Sequence, residues 1–357
     1  VNKILLIGPL PDPVTGLSIA NELALSTLNP TGKPLFSINT SPKHFSEKLG
    51  RFNLISIFYF ILKYLEIYKI VFVNKVYYTP GQTFFGVLKY APFILFSKLM
   101  GKEIIVHIHG NYIAKQYNQL NGLRKIIFRK LLSLTHKGIV LSKTLQHNLS
   151  PFIAKENIFV LSNFYNDQLT KKLVDKSYFK IKICYLSNLM KEKGIFFLLD
   201  ALEELNAKGI SFNATIAGHI EQSQKKMLLR RMDRIKGLTY KGVVRGEEKK
   251  NLLQQSNVFV LPTFYKMEGL PISIIEAMAT GNVIITTEHG AIPDLVTENE
   301  NGFLIKKKSA DAIVEKLLFI AKNPTKAIEI SKNNTLKAKQ SFTSENFSEK
   351  LLKIIHA

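Results

Sequence analysis

A chain of 357 residues with 46% hydrophobic and 21% charged residues, 20 Gly and 13 Pro exceeds the usual single-domain size. It is also too apolar and too unbiased to be disordered, collagen-like or fibrous. Its one cysteine, Cys184, excludes a disulfide framework and a cysteine-based zinc site and suits a reducing compartment. Its 49 Lys+Arg against 27 Asp+Glu leave a net charge of +22, which calls for a polyanionic partner: nucleic acid, an anionic membrane or a phosphorylated substrate.

The amino terminus, Val1 to Pro9, has an apolar stretch of four residues and no small-residue cleavage site, and reads as a first buried strand rather than a signal peptide. No apolar run reaches the roughly 18 residues needed to span a bilayer. The most apolar region, Phe52 to Val73, is broken by Lys63, Glu66 and Lys69. A cytoplasmic location follows, with peripheral attachment to a membrane surface left open.

Short apolar runs alternate with longer helical patterns. In the first half, strands are expected at Ile4–Ile7, Leu35–Ile38, Ile70–Val73, Ile104–Ile108, Gly138–Leu141 and Ile158–Leu161. Helices are expected at Leu17–Leu28, Phe45–Tyr64, Phe84–Met100 and Leu123–Leu134. The polar stretch Phe164–Lys180 reads as an inter-domain linker. Beyond it come strands at Ile181–Leu186, Phe212–Ala217, Leu238–Lys241, Val258–Leu261 and Val283–Thr286. Helices fall near Gly194–Lys208, Gln222–Ile235 and Pro271–Ala279. The tail Ala310–Ile355 is helical with a break at Asn323-Pro324. This rhythm predicts an α/β chain of two doubly wound, Rossmann-like domains facing across a cleft, with ligands at the carboxyl ends of the strands. The expected boundaries are 1–165, 166–340 and a carboxyl-terminal helix, 341–357, packing back toward the first domain.

Chemistry-bearing residues gather at those strand ends. After the first strand, Gly16 leads into a helix, either as an anion site or as an ordinary cap; the three-glycine dinucleotide fingerprint is absent. His107 and His109 lie at i, i+2 and face one side of a strand. They are candidates for a metal pair lacking further ligands, or for His109 reaching a substrate hydroxyl. Lys193 joins a strand to a helix and either neutralises a phosphate or stands solvated in its loop. In Leu261 to Gly281, Pro271 is placed to start a helix and Gly281 to end it, with Glu268 in the preceding loop and Glu276 one turn in. A half-buried Glu276 needs hydrogen-bond donors, which a ribose diol supplies. Paired carboxylates also suit glycoside hydrolysis, but a helix N-terminus beside them favours a nucleotide.

Together these residues resemble the GT-B glycosyltransferases of family 4 (glycosyltransferase group 1), the retaining group that builds bacterial surface polysaccharides. Glu268 and Glu276, with seven residues between them and Ala277-Met278-Ala279-Thr280-Gly281 after, match its two-glutamate motif. Ile216-Ala217-Gly218, Tyr240-Lys241-Gly242-Val243, Gly290 to Val296 and Asn301-Gly302-Phe303-Leu304 support the match over essentially the whole chain. The resemblance implies catalytic roles for His109, Glu268 and Lys193. His109 would touch the donor sugar, Lys193 neutralise the diphosphate, Glu268 lie near the sugar and Glu276 hold the ribose. Gly16 would lie against the diphosphate, and Asn188, Gly218, Gly242, Val243, Gly269, Leu270 and Ile272 would join the donor-binding loops. The chain departs from the family at Asn188, where members often carry Arg, and at Pro271, where many have glycine.

The resemblance further implies retention of configuration by front-face attack, no cofactor and no metal, and a UDP- or GDP-linked sugar as donor. It implies a lipid-linked glycan or saccharide as acceptor, in O-antigen, capsule, lipopolysaccharide or exopolysaccharide synthesis. A non-catalytic nucleotide-sugar-binding or scaffold protein, a GT-B sugar-nucleotide epimerase and an inverting transferase stand as alternatives. Residues 1–175 hold a net +13 and the remainder +9. Lys43 to Lys69 and Leu123 to Leu132 mix cations with large apolar side chains. Arg124, Lys125, Arg129 and Lys130 therefore flank either a core-facing stripe or a face lying on an anionic membrane. Nucleic acid, supported by charge alone, is not expected as a partner.

Overall fold

The computed structural model describes residues 3–30, 36–41 and 60–357, which divide into two compact units. Unit 1 holds Val1–Asn163 and Glu345–Ala357; unit 2 holds Phe164–Ser344. Most of the helix expected at Phe45–Tyr64 and much of Lys43 to Lys69 lie outside the described residues.

Unit 1 is built on β1 (Ile4–Gly8), β2 (Ser37–Asn39), β3 (Lys75–Tyr78), β4 (Glu103–Ile108), β5 (Lys137–Val140) and β6 (Ile158–Val160). These strands are parallel in the order β2-β1-β3-β4-β5-β6. Strands covered on both faces must be apolar throughout, and β1 is buried at all five positions. Unit 2 repeats the plan with β7 (Ile181–Leu186), β8 (Phe212–Ala217), β9 (Leu238–Tyr240), β10 (Val258–Leu261), β11 (Val283–Thr287) and β12 (Gly302–Ile305). Its parallel order is β12-β11-β10-β7-β8-β9, so chain direction across the sheet reverses between β7 and β10; in unit 1 it reverses between β1 and β3. Two parallel sheets with crossover helices realise the α/β class expected from the alternation.

The structure corrects four local expectations. The strand expected at Ile70–Val73 ends a 3-10 helix, Tyr64–Phe72, and the strand follows at Lys75–Tyr78. Glu66 holds that helix through Lys63 (3.0 Å) and Lys69 (2.7 Å), and Val71 and Phe72 face solvent, so β-branched composition there marks no strand. Phe84–Met100 is two helices, Phe84–Leu88 and Ala91–Leu99, with Pro92 in the first turn of the second. Phe164–Lys180 is no free linker. Phe164, Tyr165, Leu169 and Tyr178 are buried, and Lys176 Nζ donates to the carbonyls of Leu253 (2.8 Å), Gln254 (2.7 Å) and Ser256 (2.5 Å) at the end of helix Gly246–Gln255. Its cation thus satisfies carbonyls that a helix end leaves open. The tail breaks at Asn323 as expected and again at Phe342, giving helices Ala310–Lys322, Pro324–Ser341 and Ser344–His356.

That last helix belongs to unit 1, where Phe347, Leu351, Ile354 and Ile355 are buried. Lys75 and Lys137 donate to the Ile355 carbonyl (2.6 and 3.4 Å), while Glu103 bridges both lysines at 2.6 and 2.9 Å.

Candidate active site

In an open parallel sheet, the loops leaving two neighbouring strands diverge where the strand order reverses, and the space outside those carboxyl ends is open to a ligand. In unit 2 the two loops are Ser187–Gly194 after β7 and Pro262–Pro271 after β10. They are stitched together. Phe264 N donates to Glu192 O at 2.7 Å, and Gly194 (φ +82°) packs so closely that a Cβ there would stand 2.3 Å from Pro262 O. Gly194→Ala is therefore expected to lower stability by about 1–3 kcal/mol and to shift Lys193. Thermal melts check the first and donor KM the second; an unchanged Tm contradicts the packing.

This stitching places Lys193 Nζ 2.7 Å from Glu268 Oε2, both largely buried. Thr263 Oγ1 donates to the same oxygen at 2.9 Å, and the ammonium lies 4.9 Å from the Tyr265 ring centroid. The β11 loop closes the third side. His289 Nε2 donates to Tyr265 O (2.7 Å), and Ala291 N donates to Gly269 O (3.0 Å). Thr263 and His289 escaped the reading of the sequence; Thr263 follows β10 only two residues on and so lies beside the glutamate loop.

Glu276 sits within helix Ile272–Ala279, which begins after Pro271, and is buried between Ile275 and Ala277. Burial pushes its carboxyl pKa up, opposed by the Lys249 ammonium 2.5 Å from Oε1. The two glutamates thus each meet their own lysine. Lys249 was not singled out from the sequence, although it shares the inward face of its helix with Leu252 and Leu253, three and four residues on, where the period calls for an apolar side chain.

The other loops frame this end of the sheet. A Cβ on Gly218 would stand 1.8 Å from Ser187 O, Gly218 N donates to Gly242 O (2.7 Å), and Leu189 N donates to His219 O (2.8 Å). Asn188 O accepts from the Tyr185 hydroxyl at 3.0 Å. Leu270 is buried, Ile272 half-buried and Val243 exposed. Asn188, Lys193, Gly218, Gly242, Val243, Glu268, Gly269, Leu270, Ile272 and Glu276 therefore all follow the carboxyl ends of β7, β8, β9 and β10.

Gly16 and His109 lie in unit 1. Gly16 opens helix Gly16–Leu28 behind a capping box in which Thr15 Oγ1 accepts from Ser18 N at 3.0 Å. His109 follows β4, its ring centroid 3.9 Å from that of His107, so the two do share a side. His107 Nδ1 is 2.5 Å from the Tyr77 hydroxyl and 3.1 Å from His109 Nε2. Burial pushes His107 well below the usual imidazole range and His109 to about 3. Both are neutral in the folded state at pH 7, whereas unfolded histidines protonate near pH 6.5. Their contribution is thus complete above about pH 6.5 and is lost as pH falls toward 3. Tm is expected to fall over that range, and less steeply in His107→Gln; equal slopes for the two proteins contradict the assignment.

Helix Gly122–Ser133 turns Phe128, Leu131 and Leu132 inward and leaves Leu123 and Ile126 70% and 52% exposed. Arg124, Arg129 and Lys130 are exposed, and Lys125 Nζ lies 4.9 Å from the Tyr117 ring centroid. The helix thus has both a core stripe and an apolar-basic outer face. Among the described residues, no group of three or more His, Cys, Asp or Glu is placed to hold a metal ion, and no helix is long and apolar enough to cross a membrane.

Comparison with known proteins agrees with where these residues lie. A family model described as glycosyl transferases group 1 matches residues 171–337. These residues belong to the group 1 glycosyltransferases. The matched segment carries the Lys193–Glu268 pair and Glu276. The amylovoran biosynthesis glycosyltransferase AmsK of Erwinia amylovora is 26% identical over 65% of this chain and 58% of its own length. The capsular polysaccharide biosynthesis glycosyltransferase CapM of Staphylococcus aureus is 25% identical over 60% of this chain and 59% of its own. The chain thus spans somewhat over half the length of these two curated relatives. Among solved structures, Anabaena HepE in complex with UDP superposes with a TM-score of 0.74 at 15% identity, over 99% of both chains. This likeness shows the fold, which is GT-B.

Proposed function

We propose that this group 1 chain is a retaining, metal-independent glycosyltransferase. It moves a sugar from a UDP- or GDP-linked donor to a lipid-linked or saccharide acceptor in bacterial surface polysaccharide synthesis. The observation that carries the reading is the Lys193–Glu268 pair at the point where the strand order of unit 2 reverses. An ammonium has three donors, and one is given to Glu268, so the others can meet a diphosphate. Charge grows on that diphosphate as the glycosidic bond breaks, and a fixed cation there stabilises the transition state more than the ground state. Glu268, fixed by Lys193 and Thr263, orients the sugar, and Glu276 accepts from the ribose hydroxyls. The similarity to AmsK of amylovoran biosynthesis and CapM of capsular polysaccharide biosynthesis supports the pathway class, and the fold shared with Anabaena HepE, solved in complex with UDP-glucose, supports a nucleotide-sugar donor.

In this reading His109 keeps the sugar-hydroxyl role, and Gly16 the diphosphate role, that the resemblance to family 4 implies. Front-face attack, with the leaving phosphate accepting the acceptor's proton, requires no covalent carboxylate nucleophile. The outer face of helix Gly122–Ser133 rests peripherally on the anionic inner surface of the plasma membrane, where the acceptor lipid lies. Anionic vesicles are expected to bind the protein at low salt and release it at high salt.

Incubation with UDP-, GDP- and ADP-sugars, with and without EDTA, tests the activity. Acceptor-dependent release of nucleoside diphosphate that survives EDTA, with the anomeric configuration kept, is the expected result. Tight donor binding with no turnover under any acceptor contradicts it and favours a non-catalytic binder.

A further inference from the structure

The geometry points to Lys249 as a positioning residue of the nucleotide site: it holds the buried Glu276 carboxylate ionised and in one rotamer, as a hydrogen-bond acceptor for the ribose. The inference rests on the ribose assignment of Glu276 made above.

Three observations carry it. Lys249 lies on the side of helix Gly246–Gln255 that carries the buried Leu252 and Leu253 and meets the buried Glu276, whereas the next residue, Lys250, is as little exposed (17% at the side chain) but pairs with the exposed Glu247 at 3.1 Å. Lys249 and Glu276 are 18% and 6% exposed at the side chain and 2.5 Å apart, so the pair is sequestered from most solvent. Glu276 lies in the stretch of helix Ile272–Ala279 that is buried throughout, Ile274 to Ala279, and burial pushes its carboxyl pKa up. A carboxylate so placed takes up a proton unless a cation offsets its lost hydration. A protonated carboxyl offers fewer acceptor sites, and a ribose diol has two hydroxyls to donate.

A buried ion pair is also a weak stabiliser, since well-packed apolar substitutes often do as well. The role that remains for Lys249 is to set the state and direction of the carboxylate. It does so without touching the reacting atoms, unlike the cation proposed for the diphosphate, Lys193. The pair also ties the β9–β10 crossover, which carries Lys249, to the β10–β11 crossover, which carries Glu276.

The titratable groups facing Glu276 are Lys249 and, from β7, Cys184, whose thiol burial pushes up to about 12. Lys176, brought down to about 7 by burial, faces Cys184 and is the same in every variant compared, so differences between variants report on Lys249.

The test compares Lys249→Met with Lys249→Arg and Glu276→Gln. It uses UDP binding by calorimetry, or GDP or ADP where UDP does not bind, and donor kinetics from pH 6 to 8.5. Lys249→Met is expected to raise nucleotide Kd and donor KM about tenfold while kcat stays within about threefold. The loss is expected to deepen as pH falls and Glu276 protonates, and Lys249→Arg is expected to restore binding and flatten the profile. A Met variant with wild-type Kd at every pH overturns the inference, as does one whose kcat falls with KM unchanged. Lys249→Gln, with the same expected results, replaces the Met variant if that fails to fold. Glu276→Gln separates the two ideas: if it binds nucleotide as the wild type does, the ribose assignment itself fails. If it binds weakly while Lys249→Met binds normally, only the role of Lys249 fails.

Discussion

Lys193→Ala is expected to lower kcat by about 10²–10³-fold, the loss seen when one preorganised charge-stabilising group is removed from a transition state. The side chain has two duties, and the variant separates them. It removes the cation that meets the departing diphosphate, and it leaves Glu268 buried with Thr263 as its remaining side-chain partner. Removing one member of a buried pair destabilises by about 3–5 kcal/mol, so Tm falls as well. The double variant Lys193→Met with Glu268→Gln removes both charges and is expected to recover much of that stability without recovering turnover. A Lys193→Ala enzyme with kcat within about threefold of wild type contradicts the role of the lysine.

Glu268→Gln is expected to act chiefly on turnover, with a smaller fall in Tm than Lys193→Ala because the ammonium it leaves is more exposed (16%) than the carboxylate (8%). The amide keeps the shape of the carboxyl and can still accept from Thr263 Oγ1, so the loop holds. Lys193, no longer bound to a carboxylate, keeps its full charge for the diphosphate. Nucleotide diphosphate should therefore bind as tightly as to wild type or more tightly, while kcat falls about 10³-fold because the donor sugar loses its orienting acceptor. Calorimetry and initial rates on one preparation read both quantities. Normal turnover removes Glu268 from the mechanism, and weaker nucleotide binding shows that its chief effect is on the loop.

Much of this site is legible in the sequence because it hangs on strand ends, and strand ends are marked by apolar runs. β7 and β10 end at Leu186 and Leu261, where the alternation ends them, so Lys193 and Glu268 fall in loops on one side of one sheet. What periodicity does not show is which distant group meets which. Lys249 and Glu276 are 27 residues apart and joined only by the packing of two crossovers. Lys176 reads as linker polarity because its three carbonyl partners are the far end of another helix. The misplaced strand at Ile70–Val73 has the same origin: β-branched residues favour strands wherever one is available, but a neighbouring strand to pair with decides, and β1 pairs with Lys75–Tyr78.

Calorimetric titration of UDP, GDP and ADP into the wild type, Lys193→Ala and Glu276→Gln tests the central claim most directly: the carboxyl end of the unit 2 sheet holds a nucleoside diphosphate by its phosphates and its ribose. One nucleotide is expected to bind the wild type at a single site, with affinity reduced about tenfold or more in each variant. No binding of any nucleotide to a folded wild type, or equal binding to all three proteins, contradicts it.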